Sequence, residues 1–172
     1  YMFTRPGKKL LFMGAELAPW GEWNHDVSLD WSVLATDPTR AAHFNYVTQL
    51  GLLYRQRPSL WINDESWEGF AWIDIADRNN SVISYVRRGA GEHTVVILNL
   101  TPVPRHNYRI GVPDDVSYEV LLRSDDLAWG GSDHDRAPRF TAEQSPFHGY
   151  QQSIVTTLPP LGALILGCHP ER

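Results

Sequence analysis

The sequence predicts a mainly β protein: an antiparallel β-sandwich over most of the chain, preceded by one strand–loop–helix unit. Three observations predict it. From residue 69 onward, short runs rich in Val, Ile, Thr and Tyr alternate with turn clusters such as Arg78-Asn79-Asn80, Gly89-Ala90-Gly91 and Pro113-Asp114-Asp115, the pattern of a sandwich. Before residue 58 the pattern differs, with one apolar run, one long polar and aromatic loop, and one stretch of helical periodicity. At 42% hydrophobic and 20% charged residues, the composition suits a chain that buries a core.

Residues 8–14 form a nearly continuous apolar run bounded by Pro6-Gly7 and Gly14, which fits a strand covered on both faces, as in a parallel sheet. A loop follows to about Asp37. Asp37-Pro38 offers an N-cap with proline in the first turn. Ala42, Tyr46, Leu50, Leu53 and Tyr54 then fall at helical spacing over residues 39–57, and Pro58 ends the run. Strands are expected at 69–74, 81–87, 93–100, 108–112, 118–122, 153–158 and 163–166. Residues 124–152, rich in Gly, Asp, His and Pro, read as a long excursion between strands. The change of character near residues 58–67 divides the chain into 1–60 and 61–172.

The first unit poses a physical problem. A strand buried on both faces needs parallel neighbours, and parallel neighbours need crossovers of a dozen or more residues. The run at 8–14 therefore looks like the last strand of a larger α/β sheet. Without that sheet it should pair with another copy of the chain, join the sandwich or stay disordered, because unpaired backbone groups are costly to bury.

A formal net charge of -5 with no Lys/Arg-dense face argues against a nucleic-acid partner. No apolar run reaches the roughly 20 residues of a membrane helix. The single cysteine, Cys168, excludes an internal disulfide and a cysteine metal cage; near the end of a strand run, it is expected to act as a small hydrophobe. Asn79-Asn80-Ser81 and Asn99-Leu100-Thr101 match the glycosylation pattern, and without a secretory signal they read as chance, with the cytoplasm as the expected compartment. Of seven tryptophans, those at 20, 23 and 31 fall among turn-forming and charged residues, where aromatic faces beside carboxylates suit stacking on sugar rings as well as packing.

Four stretches carry a resemblance: PGKKLLFMGAELA, EWNHDVSLDW, LNLTPVPRHNYRIGVP and the closing TLPPLGALIL. Together they resemble the C-terminal part of bacterial glycogen branching enzymes, the 1,4-α-glucan branching family of the α-amylase superfamily. The resemblance implies a fold: residues 1–60 as the last βα unit of a (β/α)₈ barrel, and 61–172 as the C-terminal all-β domain. It also implies a reaction, in which an α-1,4 link of a glucan is cut by a retaining mechanism and the freed chain is rejoined through an α-1,6 link. No cofactor and no metal are implied. The catalytic nucleophile, acid/base and third aspartate of this superfamily come from barrel strands four, five and seven, upstream of Tyr1. No catalytic residue is therefore expected in this chain. The partners implied are the glycogen or α-glucan substrate and the remainder of the parent barrel.

Active sites of such barrels lie at the C-terminal ends of the strands, so the loop after residue 14 would face the substrate. Glu16 is the candidate for lining the site, with a loop-stabilising salt bridge as the alternative. Trp20 and Trp23 are candidates for sugar stacking or for closing the barrel mouth. Asn24, His25 and Asp26 would bond glucan hydroxyls or hold the loop. Ala15 and Leu17 stand where the family commonly has asparagine and phenylalanine, and alanine supplies no hydrogen bond. Glu16, Glu22, Asp26 and Asp30 are not expected to form an autonomous carboxylate pair, because catalytic geometry needs rigid support. Asp133-His134-Asp135 imitates a metal site but reads as a solvated loop, and Arg87-Arg88 and Arg105-His106 as surface charge. An alternative reading of the whole is a stand-alone glucan-binding β module, with Trp61, Trp67, Trp72 or Trp129 as its platform.

Overall fold

A computed structural model describes residues 1–114 and 116–168. Asp37 caps the main helix as its sequence requires: its Oδ1 accepts from the backbone N–H of Thr39 at 3.0 Å and of Arg40 at 3.2 Å. Pro38 occupies the first turn, where no N–H is needed. A one-turn helix α1 (Val33–Thr36) leads directly into this helix, α2 (Pro38–Gln56). Eight strands follow among the described residues: β1 (Phe70–Asp74), β2 (Val82–Gly89), β3 (Glu92–Asn99), β4 (Arg105–Val112), β5 (Ser117–Arg123), β6 (Arg139–Thr141), β7 (Gln152–Leu158) and β8 (Ala163–Cys168).

All pairings are antiparallel. Six strands form one sheet in the order β1-β2-β3-β8-β5-β6, and β4 pairs with β7 in a second. The β2–β3 hairpin closes through Ala90 at φ 53 and Gly91 at φ 76, the two left-handed positions whose twist matches the flanking strands.

Alternation along β3 explains why its sequence is nearly all apolar. Val95 and Ile97 enter the core between the two sheets, with Val86, Ile110, Ile154 and Leu166. Val96 and Leu98 enter a second cluster, where Leu53 of α2 and Leu60 cover the opposite face. The central strands are thus buried on both sides, by the small sheet and by the helix.

Arg87 ties three segments together. It is fully buried; its Nε donates to the Gly69 carbonyl at 3.1 Å, its Nη1 to the Thr4 carbonyl at 2.8 Å, and its Nη2 to the Asp64 carboxylate. Thr4 also shares a 2.5 Å hydrogen bond with the Tyr85 hydroxyl, and Arg5 lies over the rings of Phe70 and Trp72. The reading of Arg87 as surface charge is corrected: a buried guanidinium persists because each face of its fork is satisfied.

Two further expectations are corrected. The run at 8–14 is not a strand, and among the described residues no strand precedes Phe70. A β-strand exists through its ladder, and residues 8–14 have no strand beside them. They run irregularly, with Leu10 75% exposed and Leu11, Phe12 and Met13 also in solvent. Of the expected last βα unit, the helix forms and the strand does not; the segment neither joins the sandwich as a strand nor completes a barrel. Within the 124–152 excursion, β6 pairs with β5, a three-residue strand too short to show a period of two. Asp115, in one of the expected turns, lies outside the described residues.

Candidate functional site

The loop between residue 12 and α1 is held at its base and free at its tip. Gly14 turns the chain at φ 81, a left-handed conformation that favours glycine. A 3₁₀ turn (Ala15–Leu17) follows, with Leu17 buried. Helix α2 anchors it: Arg40 Nε donates to the Leu17 carbonyl at 2.7 Å, and His43 Nε2 lies 3.2 Å from the Ala15 carbonyl. At the far end, Trp31 meets Phe44 edge-on at 6.3 Å.

Between these anchors the candidates are in solvent. Trp20 is 92% exposed. Trp23 packs edge-on against Phe12 at 5.5 Å and tilts over His25 at 6.2 Å. Asn24 Oδ1 accepts from the Asp26 N–H at 2.9 Å, and His25 Nε2 approaches Asp26 Oδ1 at 3.2 Å. Asp30 accepts from the Ser32 hydroxyl and N–H, and the hydroxyl bond first of all holds its carboxyl below the usual range.

An open cavity of about 520 Å³, mostly apolar, is lined by Phe12, Met13, Pro19, Glu22 and Trp23 among others. Of the sequence candidates it gathers Trp23 alone; Glu16 is half-buried at the 3₁₀ turn, and Trp20, Asn24, His25 and Asp26 stand outside. Glu22, Asp26 and Asp30 are exposed. The loop offers aromatic faces and hydrogen-bonding groups.

Other polar groups resolve into structure. Asp125, not singled out in the sequence, is the hub of the 125–135 loop, accepting from the N–H groups of Ser132 at 2.8 Å and His134 at 2.9 Å. Asp133 pairs with Arg136, and Asp135 accepts from the Ala137 N–H at 2.8 Å, so the three residues of Asp133-His134-Asp135 serve separate contacts. Asn99 is buried and its amide donates to the carbonyls of Val103 and Pro159 at 2.8 Å, which leaves no access for a glycan.

His93, Asp114 and Cys168 bring three possible metal-donor atoms within 4.8 Å. His93 Nδ1 lies 3.0 Å from Cys168 Sγ and 3.4 Å from Asp114 Oδ2, while Nε2 lies 3.0 Å from the Tyr118 hydroxyl. Both ring nitrogens have partners and the S···N spacing is that of a hydrogen bond, so the cluster bridges β3, β5 and β8. Cys168 is small and buried, as the sequence implies, but also polar in its contact. Seventy-five positions separate it from His93, and no local pattern announces the pairing.

Similarity to known proteins agrees with this architecture. The family model of the alpha amylase C-terminal all-beta domain matches residues 72–169. The 1,4-alpha-glucan branching enzyme GlgB of Cellvibrio japonicus is 47% identical over 166 residues, covering 96% of this chain and 22% of its own length. GlgB of Methylococcus capsulatus is 47% identical with the same coverage, and GlgB of Pseudomonas aeruginosa 45% identical, covering 96% of this chain and 23% of its own length. The chain thus spans less than a quarter of these curated relatives. Among solved structures, an alpha-amylase from Geobacillus thermoleovorans, complexed with acarbose, superposes over 100% of this chain and 32% of its own, with a TM-score of 0.66 at 18% identity. That likeness is one of fold.

Proposed function

The chain belongs to the family of the alpha-amylase C-terminal all-β domain, and from that membership we propose that it is the C-terminal part of a 1,4-α-glucan branching enzyme. The near end-to-end identity to branching enzymes, 47% over 96% of the chain, carries this reading. The parent would cut an α-1,4 link with one carboxylate as nucleophile and a second as acid, then resolve the glycosyl intermediate with a sugar 6-hydroxyl in place of water. Those carboxylates belong to upstream polypeptide.

This chain has two roles in the proposal. The sandwich, rigid and buried on both faces of its central strands, braces the catalytic domain. The loop anchored by Arg40 and His43 supplies a rim, where Trp20 and Trp23 stack on glucose rings, Glu16 lines the site, and Asn24, His25 and Asp26 bond hydroxyls. The exposed side chains of residues 10–13 are the surface on which the remainder of the parent barrel docks; in its absence the same surface promotes self-association of the chain. The compartment proposed is the cytoplasm, where a lone cysteine remains reduced.

The test is an iodine-stain branching assay. The chain alone is expected to leave amylose unchanged, and the chain continuous with its upstream polypeptide to branch it. Turnover by the 172 residues alone overturns the assignment of catalysis upstream. A second reading, a stand-alone glucan-binding module, is favoured by one observation: Trp67 is 98% exposed beside the sandwich. Titration with maltoheptaose followed by tryptophan fluorescence tests it, and loss of the response in Trp67→Ala is its expected sign.

A further inference from the structure

The motif NLTPVPRHNYRIG has no part in the rim loop. It builds one wall of an open cleft of about 680 Å³ on the sandwich, within the range of about 300–1,000 Å³ typical of small-ligand sites. Asp74 at the end of β1, Asp77 in the next turn, and Phe147 and His148 between β6 and β7 complete it. β4 enters the cleft through a bulge, with its register broken between Arg105 and Tyr108 and Asn107 at φ 53. Left-handed conformations at non-glycine residues are uncommon and concentrate at functional sites.

The groups in this cleft are fixed by one another. Asp77 Oδ2 accepts from the Tyr108 hydroxyl at 2.6 Å and the Asn80 amide at 2.8 Å. Burial alone would raise the pKa of Asp77, but these bonds and Arg105 together hold it below the usual carboxylate range. His148 Nε2 lies 3.5 Å from Asp74 Oδ2, yet burial lowers its pKa, so the imidazole is neutral at pH 7. Arg109 is paired with Glu143 at 2.7 Å and donates to the Ser153 hydroxyl at 2.7 Å, and Arg105 stands near Asp77. The carboxylates of Asp74, Asp77 and Glu143 therefore outnumber the two guanidinium groups, and the cleft does not favour an anion.

A neutral ligand rich in hydroxyls fits better. Carboxylates and guanidinium edges each serve several hydroxyls, and Arg105 Nε is buried with no partner among the described residues. Phe147 is 41% exposed and its ring lies 4.2 Å from that of His148, an apolar face for the C–H side of a pyranose. We propose that this cleft on the β domain binds a short segment of α-glucan chain. The proposal rests on the reading of the parent as an α-glucan enzyme; the cleft would hold a neighbouring chain of the polymer against the protein.

Native gel electrophoresis of the 172-residue chain through gels with and without glycogen tests it. Glycogen is expected to retard the chain, and maltoheptaose to reverse the retardation where cellohexaose does not. Phe147→Ala is expected to weaken the apparent affinity about tenfold. Asn107→Gly, which keeps the left-handed backbone and removes the amide, should weaken it with no change in melting temperature, whereas Trp67→Ala should leave it intact. Retardation unchanged by both cleft variants, or no retardation while the parent enzyme branches amylose, overturns the proposal. A parent that fails to branch amylose overturns the enzyme reading instead, and cleft-dependent retardation would survive it.

Discussion

Residues 8–13, KKLLFM, and residues 93–98, HTVVIL, are similar six-residue runs with opposite fates. In β3 residues Thr94 to Leu98 have ladder partners on both sides, and its four apolar side chains are buried between helix and sheet. In the N-terminal run no ladder forms, and its four apolar side chains lie in solvent. Apolar character is common to both. What differs is the supply of neighbours, and a strand is a property of neighbours before it is a property of sequence.

The strongest way to break this contrast is through Arg87, which ties the N-terminal segment to the sandwich. Arg87→Ala removes the donor to the Thr4 and Gly69 carbonyls and the guanidinium partner of Asp64, and is expected to cost about 3–5 kcal/mol, read as a lower urea midpoint. A loss under about 1 kcal/mol would mean that the two regions are not coupled there.

Leu166→Ala removes a fully buried side chain from the inter-sheet core and should cost about 2–5 kcal/mol. Leu10→Ser, in the exposed run, should stay within about 0.5 kcal/mol and reduce self-association in sedimentation velocity. Equal losses for the two would erase the distinction.

The sandwich also carries a pH dependence through a buried histidine. Burial lowers the His93 pKa below 6.5, against the pull of Asp114. The unfolded chain then binds a proton that the folded chain refuses, so this contribution to stability is complete above about pH 6.5 and falls as the pH drops toward the folded value. Thermal melts from pH 7.5 to 5 should show the decline, and His93→Gln should reduce it, with the half-buried His148 retaining a contribution of the same sign. The helix cap contributes less than the core: Asp37→Ala should cost about 1 kcal/mol, because the Thr39 and Arg40 N–H groups lose their acceptor.

Seven of the eight described strands and helix α2 were legible in the sequence to within a few residues, since periodicity, turn residues and the Asp37-Pro38 start are local signals. β6 was not, because three residues carry no period. The rim candidates were legible as residue types, but their placement around a shared cavity was not: Trp23 alone lines it. The cleft beneath Phe147 joins side chains more than seventy positions apart, and only the motif forming one wall was visible beforehand.

By itself, then, the sequence determined where the chain turns, which runs can be strands and which family it resembles, all matters settled by a residue and its near neighbours. Only the tertiary structure decided that an apolar run would remain unpaired, that Arg87 would be buried, and that Asp77, Tyr108 and His148 would meet. Burial and pairing depend on what the rest of the chain brings alongside, and no local stretch contains that information.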